Sequence, residues 1–285
     1  MHFMSRQPRI IYPNALYHLT VRGNEKKEIY FGDADRRLFL RILSSVIEKY
    51  HWVCHAYCLM NNHFHLLIQT PESNLSEGMR QLNGVYTQKI NERYCRVGHI
   101  FQGRFKAFLI EEEIYLLTVA RYIVLNPVRA MIVVLPEQYA WSSYRQTIGS
   151  DRKRKFLTTQ GILSRFSSKG ISAQYRYREF VHSGIFLSSP FLEAKHSILG
   201  SDRFILEVGL CEYLEDNSEF SKSNRFIGRP SLAEIFDGIS DKDVRNEAII
   251  GAITRCGYSQ AQVARTLSLD ASTIFRILKM HRFKT

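Results

Sequence analysis

A chain of 285 residues is roughly two domains long, and with 45% hydrophobic and 12% aromatic residues it can bury a sizeable core; a disulfide-stapled miniprotein and wholesale disorder are both excluded. Lys and Arg outnumber Asp and Glu by 39 to 27, and the net charge of +12 points to a polyanionic partner, either nucleic acid or an acidic membrane surface. The longest uncharged apolar runs, such as residues 131–135, fall far short of the roughly 20 residues that cross a bilayer, and the N-terminus lacks a secretory signal pattern, so no membrane helix and a cytoplasmic location are expected.

Residues 15–21 read as a strand, with a turn signal after it at Gly23-Asn24. Asp33 can cap a helix over 34–50, where Leu38, Ile42, Ser45 and Val46 recur at helical spacing. Residues 52–60 and 63–70 read as two strands joined at Asn61-Asn62, a hairpin signal. Cys54-x-x-x-Cys58 lies in the first of these, and with five scattered cysteines in the chain it reads as reduced strand residues in preference to a zinc site. A second long helix over 75–94 carries Met79, Leu82, Val85, Tyr86 and Ile90. Residues 105–110 form a further strand, Glu111-Glu112-Glu113 suit the positive end of a helix running to about Val124, and Pro127 stops that helix. This order of elements predicts an α+β domain on an antiparallel sheet with a ferredoxin-like arrangement.

Ile148-Gly149-Ser150, followed by Arg152-Lys153-Arg154-Lys155, marks a linker near residue 150. The expected division is a first domain over 1–150, a helical linker region over 151–240 without legible chemistry, and a small basic module over 241–285. In that module residues 246–255 form an amphipathic helix ended by Gly257. Ser259 begins another through Leu267, with Gln262 completing a capping box, and a third covers 271–279. The last two have helix-turn-helix spacing, with Ala264 at their crossing, Ile274 at the buried point and Ser268 where a glycine is expected. Within residues 255–285, Arg255, Arg265, Arg276, Lys279, Arg282 and Lys284 are balanced by Asp270 alone, so a phosphate-facing surface is expected, against the alternative of a three-helix packing element with a basic solvated face.

His63-Phe64-His65 carries the most chemistry. Strand side chains alternate, so His63 and His65 project from one face while Phe64, Leu66 and Ile68 point to the other. Two converging imidazoles suit a divalent cation with further positions open for water and a phosphate oxygen; the alternative is two strand histidines hydrogen-bonded to neighbours. Tyr122 and Asn126 are four residues apart and share a face if the helix reaches that far. A phenol needs a nearby cation or base to act as a nucleophile at neutral pH, and Arg121 and Arg129 flank this one. With 15 tyrosines present, Tyr86, Tyr115 and Tyr144 fit the pattern as well, and Asn126 also fits a helix cap before proline.

In order, Tyr17-His18, Arg22-Gly23-Asn24, His55-Ala56-Tyr57, residues 60–67, Gly98-His99, residues 101–105, Tyr122, residues 126–130 and Trp141-Ser142-Ser143-Tyr144 resemble the transposase domain of the HUH single-tyrosine superfamily. Within it the match is to the REP-associated tyrosine transposases, and it covers about residues 10–147. The C-terminal module resembles chromosomal-replication-initiator and Trp-repressor-like DNA-binding segments.

The resemblance implies a metal-assisted endonuclease and strand transferase acting on single-stranded DNA. The family's paired histidines fall on His63 and His65, its nucleophile on Tyr122 and its amide ligand on Asn126, with Mg²⁺ or Mn²⁺ as the ion. Attack by Tyr122 would give a 5′-phosphotyrosine and a free 3′-hydroxyl; the covalent link conserves bond energy, so no nucleotide cofactor is expected. Arg22, Lys26, Lys27, Arg104, Lys106 and Arg129 are candidates to follow a phosphate backbone, with His99 and Gln102 in the same matched pattern as Arg104. Phe101, Phe105 and Tyr17 are candidates to stack unpaired bases, and Arg265, Arg276 and Lys279 would serve the C-terminal module.

By analogy with the family, the DNA would be a chromosomal palindrome folded into a hairpin beside a short single-stranded guide, and the protein would be associated with the nucleoid. Two other readings remain, a DNA-binding regulator with an idle nuclease centre and an RNA-binding protein on a ferredoxin-like sheet. Monomer and homodimer are both open, as is whether Tyr122 meets its own histidines or those of a second subunit.

Overall fold

A computed structural model of the chain describes residues 10–195, 197–214, 231–239, 241–254, 258 and 260–282. Two compact units result, one over Ile11–Gly200 and one that includes Ser201–Thr285.

The first unit begins β1 (Ala15–Arg22), α1 (Asp33–Lys49), β2 (Val53–Met60), β3 (His63–Thr70), α2 (Leu75–Arg93) and β4 (Lys106–Ile110). The strand order is β2-β3-β1-β4, antiparallel throughout, as the expected βαββαβ arrangement requires. A fifth strand, β5 (Ile198–Leu199), joins the outer edge of β4 in parallel, so the complete sheet is mixed and not antiparallel. The edge of β4 has donors to satisfy: the amides of Leu109 and Glu111 donate to the carbonyls of Ser197 and Leu199, both at 2.9 Å.

The two faces of the sheet bury different sets of residues. On one, Phe64 packs against Phe39 of α1 with ring centres 4.7 Å apart, and Tyr86 of α2 packs against Phe39 at 5.3 Å. On the other, Leu16, Ala56, Cys58, Met60, Leu67 and Ile110 meet Leu116, Val119, Ala120 and Ile123 of α3 (Glu112–Val124). Burial also pushes the Cys54 and Cys58 thiols up, which suits the reading of both as reduced, packed strand residues.

α3 ends at Val124, the expected limit before Pro127. After Leu125 a further turn, α4 (Asn126–Arg129), follows with Pro127 in its first turn, where a missing N–H is tolerated. The Asn126 side-chain amide repairs the junction by donating to the carbonyls of Tyr122 at 2.9 Å and Ile123 at 3.3 Å. The second of these is the acceptor that a proline at 127 leaves without its backbone donor.

The chain does not open into a linker at residue 150. After α5 (Tyr144–Thr147), the amides of Ser150 and Asp151 donate to the carbonyl of Arg145, and Leu157 and Thr158 meet β2, where the amide of Thr158 donates to the carbonyl of Cys54. Then α6 (Gln160–Leu163) and α7 (Gly170–His182) bury Ile162, Tyr177 and Val181 in the same core as α3. A basic run resembles a linker in composition, but here it is fastened at both ends by apolar anchors.

The second unit holds α8 (Asp202–Leu214), α9 (Leu232–Phe236), α10 (Lys242–Thr254), α11 (Gln260–Thr266) and α12 (Ala271–Arg282). Ile249, Ala252, Val263, Ala264 and Ile274 form its core. Ser268, between α11 and α12, adopts φ 51°, the left-handed conformation for which a glycine was expected. The amide of Leu269 closes the turn on the carbonyl of Ala264 at 2.9 Å. Gly257 and Ser259, the expected helix stop and cap, lie outside the described residues. No described helix is long and apolar enough to cross a membrane.

Candidate active site

Register builds the site. Thr20 of β1 stands opposite His65 of β3 and also opposite Lys106 of β4, while Arg22 stands opposite His63. Directly paired residues share a face, and so do residues two apart on a strand, so His18, Thr20 and Arg22 lie on the same side of the sheet as the histidine pair and Lys106. The rings of His63 and His65 have centres 4.9 Å apart.

A third imidazole joins them. His18 is stacked on His65 with ring centres 5.1 Å apart, and its Nε2 shares a 2.8 Å hydrogen bond with His65 Nδ1. At the other end of the pair, His63 Nδ1 is 2.6 Å from Asn62 Oδ1 and can only donate to it. That fixes the tautomer of His63 and leaves its Nε2 with a lone pair. His65 Nε2 is buried and has no hydrogen-bond partner; in the tautomer whose Nδ1–H donates to His18 Nε2, it too would offer a lone pair.

Burial holds all three imidazoles neutral. It depresses the pKa of His18 to about 3 and, helped by the Arg22 guanidinium, that of His63 to about 4. His65 is held well below the usual imidazole range by burial first and then by His18, His63 and Arg22. The unfolded chain therefore takes up these protons more readily than the folded one, and stability falls as pH drops from the unfolded value of 6.5 towards the folded values. For His18 alone the loss at pH 5 is about 2 kcal/mol. Urea denaturation of metal-free protein should give a lower midpoint at pH 5 than at pH 7, with the gap narrowed in His18→Gln. Identical midpoints would contradict the burial of neutral imidazoles.

Tyr122 arrives from the end of α3. Its ring stands edge-on to His65 at 6.1 Å and to His18 at 6.0 Å between ring centres, so the phenol and the histidines of one chain gather on one side of the sheet. The Arg129 guanidinium lies 4.6 Å over the Tyr122 ring and donates through Nη2 to the carbonyl of Leu187 at 2.9 Å. Arg121, the other flanking cation, turns away: its guanidinium covers Phe180 at 4.1 Å. Asn126 spends its Nδ2 on the helix junction, so its carbonyl oxygen is the atom left for any ligation.

The other tyrosines are engaged elsewhere. Tyr86 is buried against α1 with its hydroxyl on the carbonyl of Ile29 at 2.6 Å, and Tyr144 is buried against Tyr177. Tyr115 packs at the margin of the α3 core, near Glu193 and Glu111. Two of the expected base-stacking residues are core residues: Tyr17 is buried in β1, and Phe101 is buried against Phe64 and Tyr86. Phe105 is half-buried.

The expected phosphate-binding residues divide into groups. Arg22, Lys26, His99, Gln102, Arg104 and Lys106 are all exposed. The loop carrying Gln102 is laced to the end of β1 through Gln102 N to Arg22 O at 2.9 Å and Asn24 N to Ile100 O at 2.8 Å. The hairpin turn is tied to the same place by Asn62 Nδ2 to Lys26 O at 3.0 Å. Arg129 is half-buried over the phenol and not on an open surface. In the second unit Arg265 and Arg276 are exposed, and the side chain of Lys279 lies outside the described residues.

Two residues of this cluster escaped the sequence reading as site residues. His18 could have been found by pairing β1 with β3 in antiparallel register, which sets it diagonal to His65. Phe191 lies in no motif, yet its ring is 4.6 Å from His18 and 5.1 Å from Tyr122 between centres. Among the described residues no group of three or more His, Cys, Asp or Glu side chains is arranged to hold a metal ion.

Residues 11–126 match the family model described as Transposase IS200 like. A curated Haemophilus influenzae protein named as a REP-associated tyrosine transposase is 25% identical over 159 residues, which span 52% of this chain and 90% of that protein. A solved structure of a REP-associated tyrosine transposase bound to a REP hairpin superposes with a TM-score of 0.46 at 17% identity, over 54% of this chain and 92% of that one. The resemblance carried by the ordered motifs is thus upheld: residues 11–126 match the IS200-like transposase family, and the chain is similar to REP-associated tyrosine transposases.

Proposed function

We propose that the chain is a metal-dependent endonuclease and strand transferase for single-stranded DNA, acting on hairpin substrates with Tyr122 as its nucleophile. The observation that carries this reading is the approach of the Tyr122 ring to within 6.1 Å of His65, beside the His63 and His65 pair. Similarity to IS200-like transposases supports it independently.

The donor set fits a divalent ion. His63 and His65 would hold it through their Nε2 atoms, each imidazole oriented by a hydrogen bond at the opposite nitrogen, and the Asn126 carbonyl is the candidate third donor. Two imidazoles with oxygen donors suit Mn²⁺ readily and Mg²⁺ less so, since Mg²⁺ prefers oxygen throughout. When bound, such an ion supplies positive charge to a non-bridging phosphate oxygen.

The chain's own groups do the rest. Tyr122 Oη forms a bond to phosphorus as the bond to the 3′-oxygen breaks; the phenol proton is lost to water and the departing oxygen takes one up. The product is a 5′-phosphotyrosine and a 3′-hydroxyl, and attack by another 3′-hydroxyl reverses the chemistry without nucleotide hydrolysis. Arg22 and Lys106 flank the histidines on the same face and offer cations to the DNA backbone, with Lys26, Gln102, Arg104 and His99 extending that surface. In the second unit, the turn between α11 and α12 and the exposed Arg265 and Arg276 support a helix-turn-helix contact with duplex DNA.

The test is incubation with end-labelled hairpin DNA carrying a single-stranded flank, with and without Mn²⁺. A denaturant-resistant protein–DNA adduct that requires the ion is the expected result. Tight hairpin binding with no adduct under Mn²⁺ or Mg²⁺ would favour the idle regulator instead, and stronger competition by RNA than by single-stranded DNA would favour an RNA-binding protein.

A further inference from the structure

The segment between α7 and β5 lies beyond the family match, which ends at residue 126, yet it closes over the Tyr122 cluster. It is held at several points. The carbonyl of Leu187 accepts from Arg129, and Ser189 caps the short 3-10 helix Pro190–Leu192 by accepting from the amide of Phe191 at 3.3 Å. Beyond it, Ile198 and Leu199 are fixed on β4 as β5. Phe191 stacks on His18 at 4.6 Å, tilts against Phe108 at 4.7 Å and meets the Tyr122 ring at 5.1 Å and 78°. The phenol ring is therefore bounded by imidazoles from the sheet, a guanidinium over its face and one apolar ring supplied by this strap.

We propose that Phe191 is a positioning residue for the nucleophile, supplied by a strap outside the transposase-like region that also fixes Arg129 over the phenol through the Leu187 carbonyl. The proposal rests on the role assigned to Tyr122. A tyrosine side chain at a helix junction turns about two torsions, and the Phe191 ring, packed edge-on to the phenol at 5.1 Å, restricts that turning. Such a ring contact contributes about 1 kcal/mol beyond the area it buries, and misplacing a nucleophile by about 1 Å costs on the order of 10²-fold in rate. DNA is bound by exposed cations elsewhere on the face, so affinity should be nearly independent of Phe191.

Two readouts test this in the full chain. A fluorotyrosine placed at position 122 reports the ring's environment by ¹⁹F NMR whether or not DNA is cut. One sharp resonance is expected in the parent, a displaced or broadened one in Phe191→Ala and Phe191→Leu, and a parent-like one in Phe191→Tyr. Single-turnover adduct formation at saturating hairpin DNA should fall on the order of 10- to 100-fold in Phe191→Ala, less in Phe191→Leu, and recover in Phe191→Tyr, with the hairpin Kd within about threefold throughout. An unchanged ¹⁹F signal in Phe191→Ala, or rate and affinity falling together, would overturn the proposal. Absence of adduct from the parent protein would instead strike the nuclease reading, leaving the ¹⁹F result to decide the positioning claim on its own.

Discussion

Replacing Tyr122 with Phe is expected to abolish the covalent protein–DNA adduct while leaving the fold and hairpin binding intact. The ring contacts with His18, His65 and Phe191 and the guanidinium of Arg129 over the ring face all involve the aromatic ring, which phenylalanine retains. What is lost is the oxygen that bonds to phosphorus, and the three tyrosines that matched it by spacing are engaged elsewhere: Tyr86 and Tyr144 are buried in other packing, and Tyr115 lies beside carboxylates. Loss of a nucleophile costs on the order of 10⁴-fold or more. Denaturing gels of single-turnover reactions, read beside a filter-binding isotherm for the same hairpin, separate chemistry from affinity. An adduct from Tyr122→Phe at a rate within tenfold of the parent would remove Tyr122 from its assigned role.

The histidine pair gives the second large effect and divides it into two measurable parts. His63→Ala and His65→Ala should each reduce ion-dependent cleavage by on the order of 10²-fold or more, with a shifted dependence on Mn²⁺ concentration, because each removes one of the two imidazole donors. Their effects on stability should differ. His63 is half-buried and bonded to its neighbour Asn62, so its loss costs little. His65 is buried and is the partner of His18 Nε2; removing it leaves a buried polar atom unpaired, which costs about 1–3 kcal/mol. Urea denaturation at pH 7 checks this. Equal stability of the two variants, or cleavage by both at the parental rate, would contradict the assignment.

Much of this arrangement could be read from local pattern, and the failures share a cause. Alternation at residues 63–70 put both histidines on one face, and the hairpin at Asn61-Asn62 and the long helices α1 and α2 stand within one or two residues of their expected limits. Strand β1 is buried on both faces, so it has no inward and outward alternation from which to single out His18. Tyr122 was indistinguishable from other tyrosines by spacing, and only the ordered family motifs singled it out.

Residues 151–200 misled for a different reason. Their anchors, Ile162, Tyr177, Val181 and the two-residue strand Ile198–Leu199, are held by partners far away in sequence, and neither a basic run nor a two-residue strand carries a period. Phe191 belongs to the same class. At Pro127 the helix-breaking rule held for α3, which ends at Val124; the further turn Asn126–Arg129 and the Asn126 amide bonds at the junction are what composition does not advertise.

The central claim is that one phenol, gathered beside paired imidazoles, makes the bond to DNA. Mass spectrometry of the trapped adduct, after digestion of the DNA to a nucleotide remnant and of the protein to peptides, locates that bond to a residue. The predicted result is a phosphodeoxynucleotide on Tyr122. A remnant on any other residue, or a fully unmodified protein recovered from reactions in which the hairpin has been cut, would contradict the account.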